Sequence, residues 1–142
     1  MSDQRKTEDL VSVRVYLSVR SKRLTVEEIS QRLGILPDSF RSKGELNSEG
    51  RPFTETSWTI EMRGDLSVNA DAFDNAMNDY VRALLQRIQA HLDEFRQLAT
   101  EEAATLLIGI VARSVPPLII AGDVLEMLSS LKLAELEIDL IT

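Results

Sequence analysis

The sequence contains no cysteine, one histidine and one tryptophan. Without cysteine there is no disulfide, no thiolate nucleophile, no zinc–thiolate site and no cysteine-ligated iron–sulfur cluster. The single imidazole, His91, cannot form a two-histidine metal site, and no nucleophile signature accompanies it. We interpret it as an exposed helix residue. The sequence therefore predicts no metal, no cofactor and no enzyme activity.

Long apolar runs and phosphate-binding glycine motifs are also missing. The longest nearly uninterrupted apolar run, Ala103 to Ala112, is about half of the roughly 20 residues that a membrane-spanning helix needs. The first residues, MSDQRKTED, lack the apolar segment of a signal peptide. Neither a Walker-type phosphate loop nor a GxGxxG pattern occurs. We therefore expect a cytoplasmic protein that has no membrane partner and no phosphate-binding loop for nucleotides.

Charge is distributed unevenly along the chain, whose net charge is −7. Residues 1–58 contain ten Lys and Arg against nine Asp and Glu, whereas residues 59–142 contain six against fourteen. An acidic chain repels phosphate backbones, so nucleic-acid binding is not expected unless basic residues converge in the fold. Those that could converge form one group before the first predicted helix and one after it: Arg20, Lys22 and Arg23, then Arg41, Lys43 and Arg51. We interpret them as the solvated rims of two loops.

The clearest local signal is the stretch from Leu24 to Asp38. Thr25 and Glu28 have the spacing of a capping box, while Gly34 and Pro37 mark the end of a helix. The apolar residues between these ends share one face: Val26, Ile29 and Leu33. The stretch looks like the start of a helix-turn-helix, but no recognition helix follows. It therefore predicts a helix of the framework and not a DNA-binding element.

Four segments have the patterns of β-strands. Residues 11–20 and 57–63 alternate apolar with polar side chains, as strands with one buried face do. Residues 136–140 alternate in the same way near the end of the chain. Residues 104–113 are apolar on both faces, which predicts an interior strand or one whose outer face is covered.

The segments between these strands predict two helical regions and one long loop. Residues 39–56 contain Gly and Pro among polar residues and predict a long mobile loop. Within residues 71–101, an apolar stripe from Phe73 to Leu98 fits one long helix or, with a break near Gln89 to His91, a helical hairpin. Residues 123–131 predict a short helix that Asp123 would cap.

These elements predict a disordered lead at residues 1–10 and a single α+β domain over residues 11–142. Two strand–helix–strand halves suggest a four-stranded, mainly antiparallel sheet with helices on one face, in a ferredoxin-like arrangement. The alternative is a parallel α/β sheet with helices on both faces. It would need strands that are apolar on both faces, and three of the four alternate.

A further pattern joins the capped helix to the end of the chain. It consists of TVEEISQRLGILPD, Trp58 and the closing L-x-I-D at Leu136 to Asp139. By this pattern the chain, from about Val11 onward, resembles a bacterial family catalogued only as domain of unknown function number forty-two seventy-nine. The family pattern usually ends in Asp-x-Tyr, and Ile141 takes the place of that tyrosine here. The resemblance implies no established activity, so it supports the boundaries of the domain.

The outer face of the predicted sheet is the candidate functional surface. Alternation brings polar residues of three strands to it: Arg14 and Tyr16, then Glu61 and Arg63, then Glu137 and Asp139. Opposite charges on neighbouring strands ordinarily form cross-strand pairs. The other interpretation is a surface for a ligand or partner, helped by Trp58 near the end of the 39–56 loop. The candidate residues are Arg14, Tyr16, Trp58, Glu61 and Asp139.

Two functions remain open on this sequence. The preferred one is a non-catalytic protein-interaction or self-association module, because the apolar outer face of the 104–113 strand needs a cover. Its partner would be a second copy of the chain, as a homodimer, or an unknown protein. The alternative is a small-ligand-binding sensor domain, with a metabolite held between the open sheet face and the 39–56 loop.

Overall fold

The computed structural model describes residues 10–67, 70–101, 104–113, 119–131 and 133–141, with side chains at all of these except 67, 70–72, 113 and 133–141. The fold is α+β: a five-stranded sheet carries helices on one face. The elements in chain order are β1 (Leu10–Ser21), α1 (Val26–Leu33), β2 (Ser39–Arg41), β3 (Thr56–Ser67), α2 (Ala70–Ile88), a 3-10 turn (Gln89–His91), α3 (Leu92–Thr100), β4 (Thr105–Arg113), α4 (Gly122–Ser129) and β5 (Leu133–Ile141). Residues 1–9 of the predicted lead lie outside the described residues, and Leu10 begins β1.

The sheet has the strand order β2-β3-β1-β4-β5. The central strand β1 is antiparallel to both β3 and β4, and β2 is antiparallel to β3. β4 and β5 are parallel, and α4 lies in the crossover that a parallel pair requires. β4 therefore lies inside the sheet, as its apolar sequence predicts.

The observed sheet differs from the predicted one in strand number, and one part of the prediction is not confirmed. It has five strands instead of four, because Ser39–Arg41, predicted as loop, pairs with residues 57–59 of β3. The ferredoxin-like arrangement is not confirmed. The two long strands of the first half, β1 and β3, are adjacent and antiparallel, and only the β4–α4–β5 half is a parallel strand–helix–strand unit.

The helix α1 begins and ends where its sequence indicates. The Thr25 hydroxyl accepts a hydrogen bond from the Glu28 N–H (3.1 Å), and the Glu28 carboxylate accepts one from the Thr25 N–H (2.9 Å). Gly34 ends the helix in the left-handed conformation, with φ of 73°. Three apolar residues of the helix are buried: Val26, Ile29 and Leu33. The helix is therefore fixed by its own sequence and packs through one face.

The region predicted as one helix or a helical hairpin is broken near its middle. α2 ends at Ile88, and a 3-10 turn leads into α3, so the break lies where the hairpin alternative expects it. His91, in this turn, is half-buried and not exposed, because its imidazole packs against Gly34. A Cβ at that glycine would lie 3.2 Å from the imidazole Cε1.

α4 begins two residues earlier than a cap at Asp123 would place it, and Asp123 does not cap it. The N-cap position is Ala121, which places Asp123 in the first turn of the helix. The Asp123 carboxylate accepts hydrogen bonds from Arg82 at 2.8 and 2.9 Å. These bonds lower the pKa of Asp123 and tie α4 to α2.

The helices cover one face of the sheet. One cluster of buried side chains joins all four helices to that face, to which β1 contributes every second residue: Val11, Val13, Val15, Leu17 and Val19. Among the described residues, none of the helices is long and apolar enough to cross a membrane. The intervening residues of β1 lie on the opposite face, where the candidate site is found.

Candidate functional site

The open face of the sheet and the segment 38–41 enclose a cleft of about 550 Å³. β1 and β3 form its floor, and β2 with the residue before it forms one wall. Pockets for small molecules typically measure about 300–1,000 Å³. The cleft is therefore the size of a metabolite-binding site.

Strand register arranges the polar residues of the cleft in rows. Arg20 of β1 is paired with Ser57 of β3, and Ser57 is paired with Arg41 of β2. The next row on the same face contains only hydroxyl side chains: Ser18, Thr59 and Ser39. Directly paired residues of antiparallel strands share a face, so each row is a continuous strip across three strands.

The hydroxyl groups of the floor are hydrogen-bonded to one another. Ser18 Oγ lies 2.9 Å from Thr59 Oγ1 and 3.4 Å from Ser57 Oγ. Ser18 and Thr59 are buried, whereas Ser57 is half-buried. Since a hydroxyl both donates and accepts, the more exposed Ser57 can still bond to a ligand while its buried neighbours hold the floor in place.

The other end of the cleft contains an ion-paired cluster. Arg14 Nη2 lies 3.0 Å from a Glu61 carboxylate oxygen, and Arg63 donates to the second oxygen. The Arg14 guanidinium also lies over the Tyr16 ring, 4.4 Å from its centroid. That ring crosses to β4, where a Cβ at Gly109 would lie 2.1 Å from its Cζ. Because Gly109 has no side chain, the ring can occupy this space. The structure thus brings together three predicted residues: Arg14, Tyr16 and Glu61.

This packing changes the interpretation of the outer face of β4. The sequence predicts an apolar face that needs a cover from outside. Leu107 is only 6% exposed, Gly109 lies beneath the Tyr16 ring, and Val111 is half-buried. At these positions other residues of the chain cover β4, so the outer face of this strand gives no reason to expect a partner.

Trp58 is not part of the cleft. It is paired with Val19, so its side chain lies on the helix-covered face and is 0% exposed. The indole N–H donates to Ser30 Oγ (3.0 Å), and the ring meets Phe95 edge-on with centroids 6.0 Å apart. The prediction that Trp58 contributes to a surface for a ligand or partner is therefore wrong, because strand alternation places its side chain in the core.

Asp139 is located only through its backbone. It lies on the edge strand β5 and is paired with Val111 of β4. Its side chain, like that of Glu137, lies outside the described residues. The candidate surface can therefore be described for β1, β2, β3 and β4 alone.

Two arginines of the cleft are not among the residues that the sequence analysis places on the open face. Arg20 has the same parity as Arg14 and Tyr16 along β1, and this signal could have placed it on the open face. Arg41 gives no comparable signal, since β2 has only three residues. Both belong to the groups that the sequence suggests are loop rims.

The charge of the cleft is opposite to that of the chain. Among the described residues, four arginines and two carboxylates line it, whereas the net charge of the chain is −7. Arg14 and Arg63 share Glu61. Arg20 and Arg41 make no ion pair with any residue that the structure describes. The cleft therefore offers two uncompensated positive charges at one end.

The segment after β2 brings the two basic groups together. Backbone hydrogen bonds of 2.8 and 2.9 Å close residues 44–53 into a narrow hairpin. The Phe53 ring faces the Arg41 guanidinium at 5.3 Å. The Lys43 ammonium donates to the Lys22 carbonyl (2.9 Å). Basic residues that are far apart in the sequence therefore meet at the Arg20–Arg41 end of the sheet.

The wall of the cleft is fixed to α2 through Asp38. Its carboxylate accepts hydrogen bonds from Arg87 (2.8 Å) and from the Glu61 N–H (2.8 Å). The hydrogen bond from Arg87 is the main reason that the pKa of Asp38 lies below its ordinary value, against a smaller opposing effect of burial. Asp38 therefore acts as an ionised link between a helix and the edge of the cleft.

The chemistry of this arrangement favours an anion. In the described part of the chain, no group of three or more His, Asp or Glu side chains is arranged to hold a metal ion. A guanidinium only donates hydrogen bonds and stays charged at any ordinary pH. Two unpaired guanidinium groups beside a hydroxyl therefore present donors to a ligand that brings acceptors and negative charge.

Comparison with known proteins identifies a family. No curated protein and no solved structure gives a significant match to the chain. The family described as "Domain of unknown function (DUF4279)" matches residues 11–142, a range that contains every described residue of the cleft and every element of the fold except Leu10, the first residue of β1. As the capped helix and the closing strand indicate, the chain belongs to the DUF4279 family.

Proposed function

We propose that this domain is a non-catalytic binding domain that holds a small polar molecule in the cleft on the open face of its sheet. The observation that carries the proposal is a metabolite-sized cleft whose floor of hydrogen-bonded hydroxyls ends at two unpaired arginines. Such a site both encloses a small ligand and offers it charged donors. This favours a ligand-binding sensor over an interaction module whose partner covers the sheet.

The position of the cleft supports this function. Its floor residues lie on the two longest strands, whose opposite face is packed against the helices. Side chains on such strands are held in place before a ligand arrives, so less conformational freedom is lost on binding. The wall is fixed by Asp38 and Arg87, which leaves the hairpin at residues 44–53 as the neighbouring segment that could adjust to a ligand.

The experiment is a screen of anionic, neutral and cationic metabolites by thermal unfolding, followed by calorimetry. A ligand at a concentration 100-fold above its Kd stabilises the folded state by about 2.7 kcal/mol, which raises the melting temperature by several degrees. The melting temperature is a better readout than the fluorescence of Trp58, because that indole is buried on the other face.

A cleft-filling variant tests where the ligand binds. Ser39→Trp places a large side chain in the cleft from an exposed position on β2, and we expect it to abolish the shift. Gln31→Trp makes the same kind of change at an exposed position of α1, outside the cleft, and should leave the shift intact. A screen in which no compound of any class binds, or a shift that survives in Ser39→Trp, would contradict the proposal.

Self-association is the second candidate. β2 is an edge strand, and three apolar residues around it are more than half exposed: Leu36, Phe40 and Leu46. Edge strands with exposed apolar side chains are prone to pair with another chain. Sedimentation should then show a homodimer that Phe40→Glu dissociates. A strict monomer at high protein concentration would contradict this candidate.

A further inference from the structure

We infer that the ligand of this cleft is a small phosphate monoester, and that its phosphoryl group binds between Arg20 and Arg41 above Ser57. The inference rests on the proposed function and specifies its ligand. It comes from the row that strand register builds across β2, β3 and β1, in which the hydroxyl lies between the two arginines.

The spacing of the row suits one shared anion. Neighbouring strands lie about 4.7–4.9 Å apart, so residues two strands apart have Cα atoms separated by about 10 Å. Arg20 and Arg41 are in this relation, with Ser57 midway. Both long side chains line the same cleft, so their guanidinium groups can approach one anion from opposite sides.

The number of donors and charges favours a phosphoryl group over a carboxylate. A phosphate ester carries about −1.5 to −2 charges at pH 7 and has three strong acceptor oxygens. Two guanidinium groups and one hydroxyl can serve all three oxygens and balance that charge. A carboxylate has two oxygens and a single charge, so it would leave one of the two arginines uncompensated.

The surroundings increase the attraction for a small anion. Lys22 and Lys43 lie at the same end of the sheet, where the Lys43 ammonium is bonded to the Lys22 carbonyl. A local cluster of positive charge in a cleft concentrates anions there even when the chain is acidic overall. The net charge of −7 opposes a long polyanion, which would extend beyond the cluster of positive charge. A monoester that fits within the cleft avoids this repulsion.

The test measures the binding of glycerol phosphate by calorimetry in phosphate-free buffer at physiological salt. Arg20→Gln and Arg41→Gln should each weaken binding about tenfold or more, because each removes charge-assisted hydrogen bonds. Arg51→Gln is the matched control, since it removes the same charge from an exposed position of the neighbouring hairpin that does not line the cleft. It should change the affinity by less than about twofold, because salt screens an exposed charge outside the site.

Glycerol, succinate and a short single-stranded oligonucleotide are the competing probes. The inference is supported if glycerol phosphate binds, glycerol and succinate bind at least about tenfold more weakly, and only the two cleft variants lose affinity. Equal loss in Arg51→Gln would show a net-charge effect and overturn it, as would tighter binding of the oligonucleotide or of succinate. If a neutral or carboxylate ligand binds and Ser39→Trp blocks it, the proposed function stands and the phosphoryl assignment fails.

Arg41 is exposed on an edge strand, so its variant reports on binding even if Arg20→Gln folds poorly.

Discussion

From Val11 to Val19, alternate side chains of β1 are at most 9% exposed and pack against the helices, while those between them lie on the open face. The first set is aliphatic throughout. The second contains hydroxyl, aromatic and cationic groups. Arg14 and Ser18 bond across to β3, and the Tyr16 ring lies over β4. One strand thus serves two surfaces with different physical demands.

The two faces differ in what a substitution should change. Loss of a side chain from the helix-covered face leaves a cavity in a close-packed core, so the free energy of unfolding falls. Most groups on the open face keep contact with water, and their ion pairs contribute little to that free energy. The comparison predicts that stability depends mainly on one face and binding on the other.

The largest expected effect tests the helix-covered face. Leu33 of α1 is 0% exposed, and Leu33→Ala should lower the free energy of unfolding by roughly 2 to 5 kcal/mol through loss of apolar contacts and the cavity that remains. Leu36→Ala is the matched control, because Leu36 is 79% exposed and should change stability by less than about 0.5 kcal/mol. Urea titrations of the two variants measure the difference.

An equal effect of the two leucine substitutions would break the comparison. If Leu33→Ala were as stable as the parent chain, α1 would not be part of the framework. If instead it weakened ligand binding without a change in the urea midpoint, α1 would be a recognition surface. The packing of Leu33 in the core favours neither outcome.

The helix-covered face could be predicted because its signals are local. Thr25, Glu28 and Gly34 define both ends of α1 through contacts made within a few residues. The aliphatic alternation of β1 and the apolar sequence of β4 likewise indicate which strands are buried. Such patterns need no knowledge of distant parts of the chain, so the α+β class follows from them.

The open face could be predicted only in part. Alternation places Arg14, Tyr16 and Glu61 correctly, but Arg41 reaches the cleft only because a three-residue strand pairs with β3. That pairing is decided by tertiary contacts, which a polar, glycine-containing segment does not reveal. Trp58 shows the converse error, since nearness to a loop suggested a surface role that its strand parity excludes.

The next largest effect concerns a contact between the neighbouring strands β1 and β4 on the open face of the sheet. Gly109→Ala would place a Cβ about where the Tyr16 ring lies, so the ring must move away and lose its contact with Arg14. We expect a loss of about 1 to 3 kcal/mol, as for other overpacked sites. Adding Tyr16→Ala should remove most of the cost of the new methyl group. A thermodynamic cycle of the four proteins measures the coupling.

The cycle also sharpens the comparison of the faces. A cost of Gly109→Ala that is the same with and without the Tyr16 ring would mean that the methyl group disturbs the strand and not the ring. A cost that disappears with the ring would show that part of the open face is packed tightly enough to contribute to stability. The second result is expected from the close approach of the ring to β4.

The smallest expected effect is the pH dependence of the Asp38–Arg87 link at the wall of the cleft. The pKa of folded Asp38 is lowered, chiefly by the hydrogen bond from Arg87, so the link stabilises the fold above the ordinary carboxyl pKa and is lost as the pH falls through the lowered value. Because both side chains are more than one-third exposed, Asp38→Asn should cost less than about 1 kcal/mol at pH 7. Thermal unfolding of both proteins should show this difference unchanged down to about pH 5 and shrinking below the ordinary carboxyl pKa of about 3.9. Arg87→Gln should cost a similar amount and add little to Asp38→Asn, whereas a difference that persists undiminished at pH 2 would show that the charge of Asp38 does not hold the wall in place.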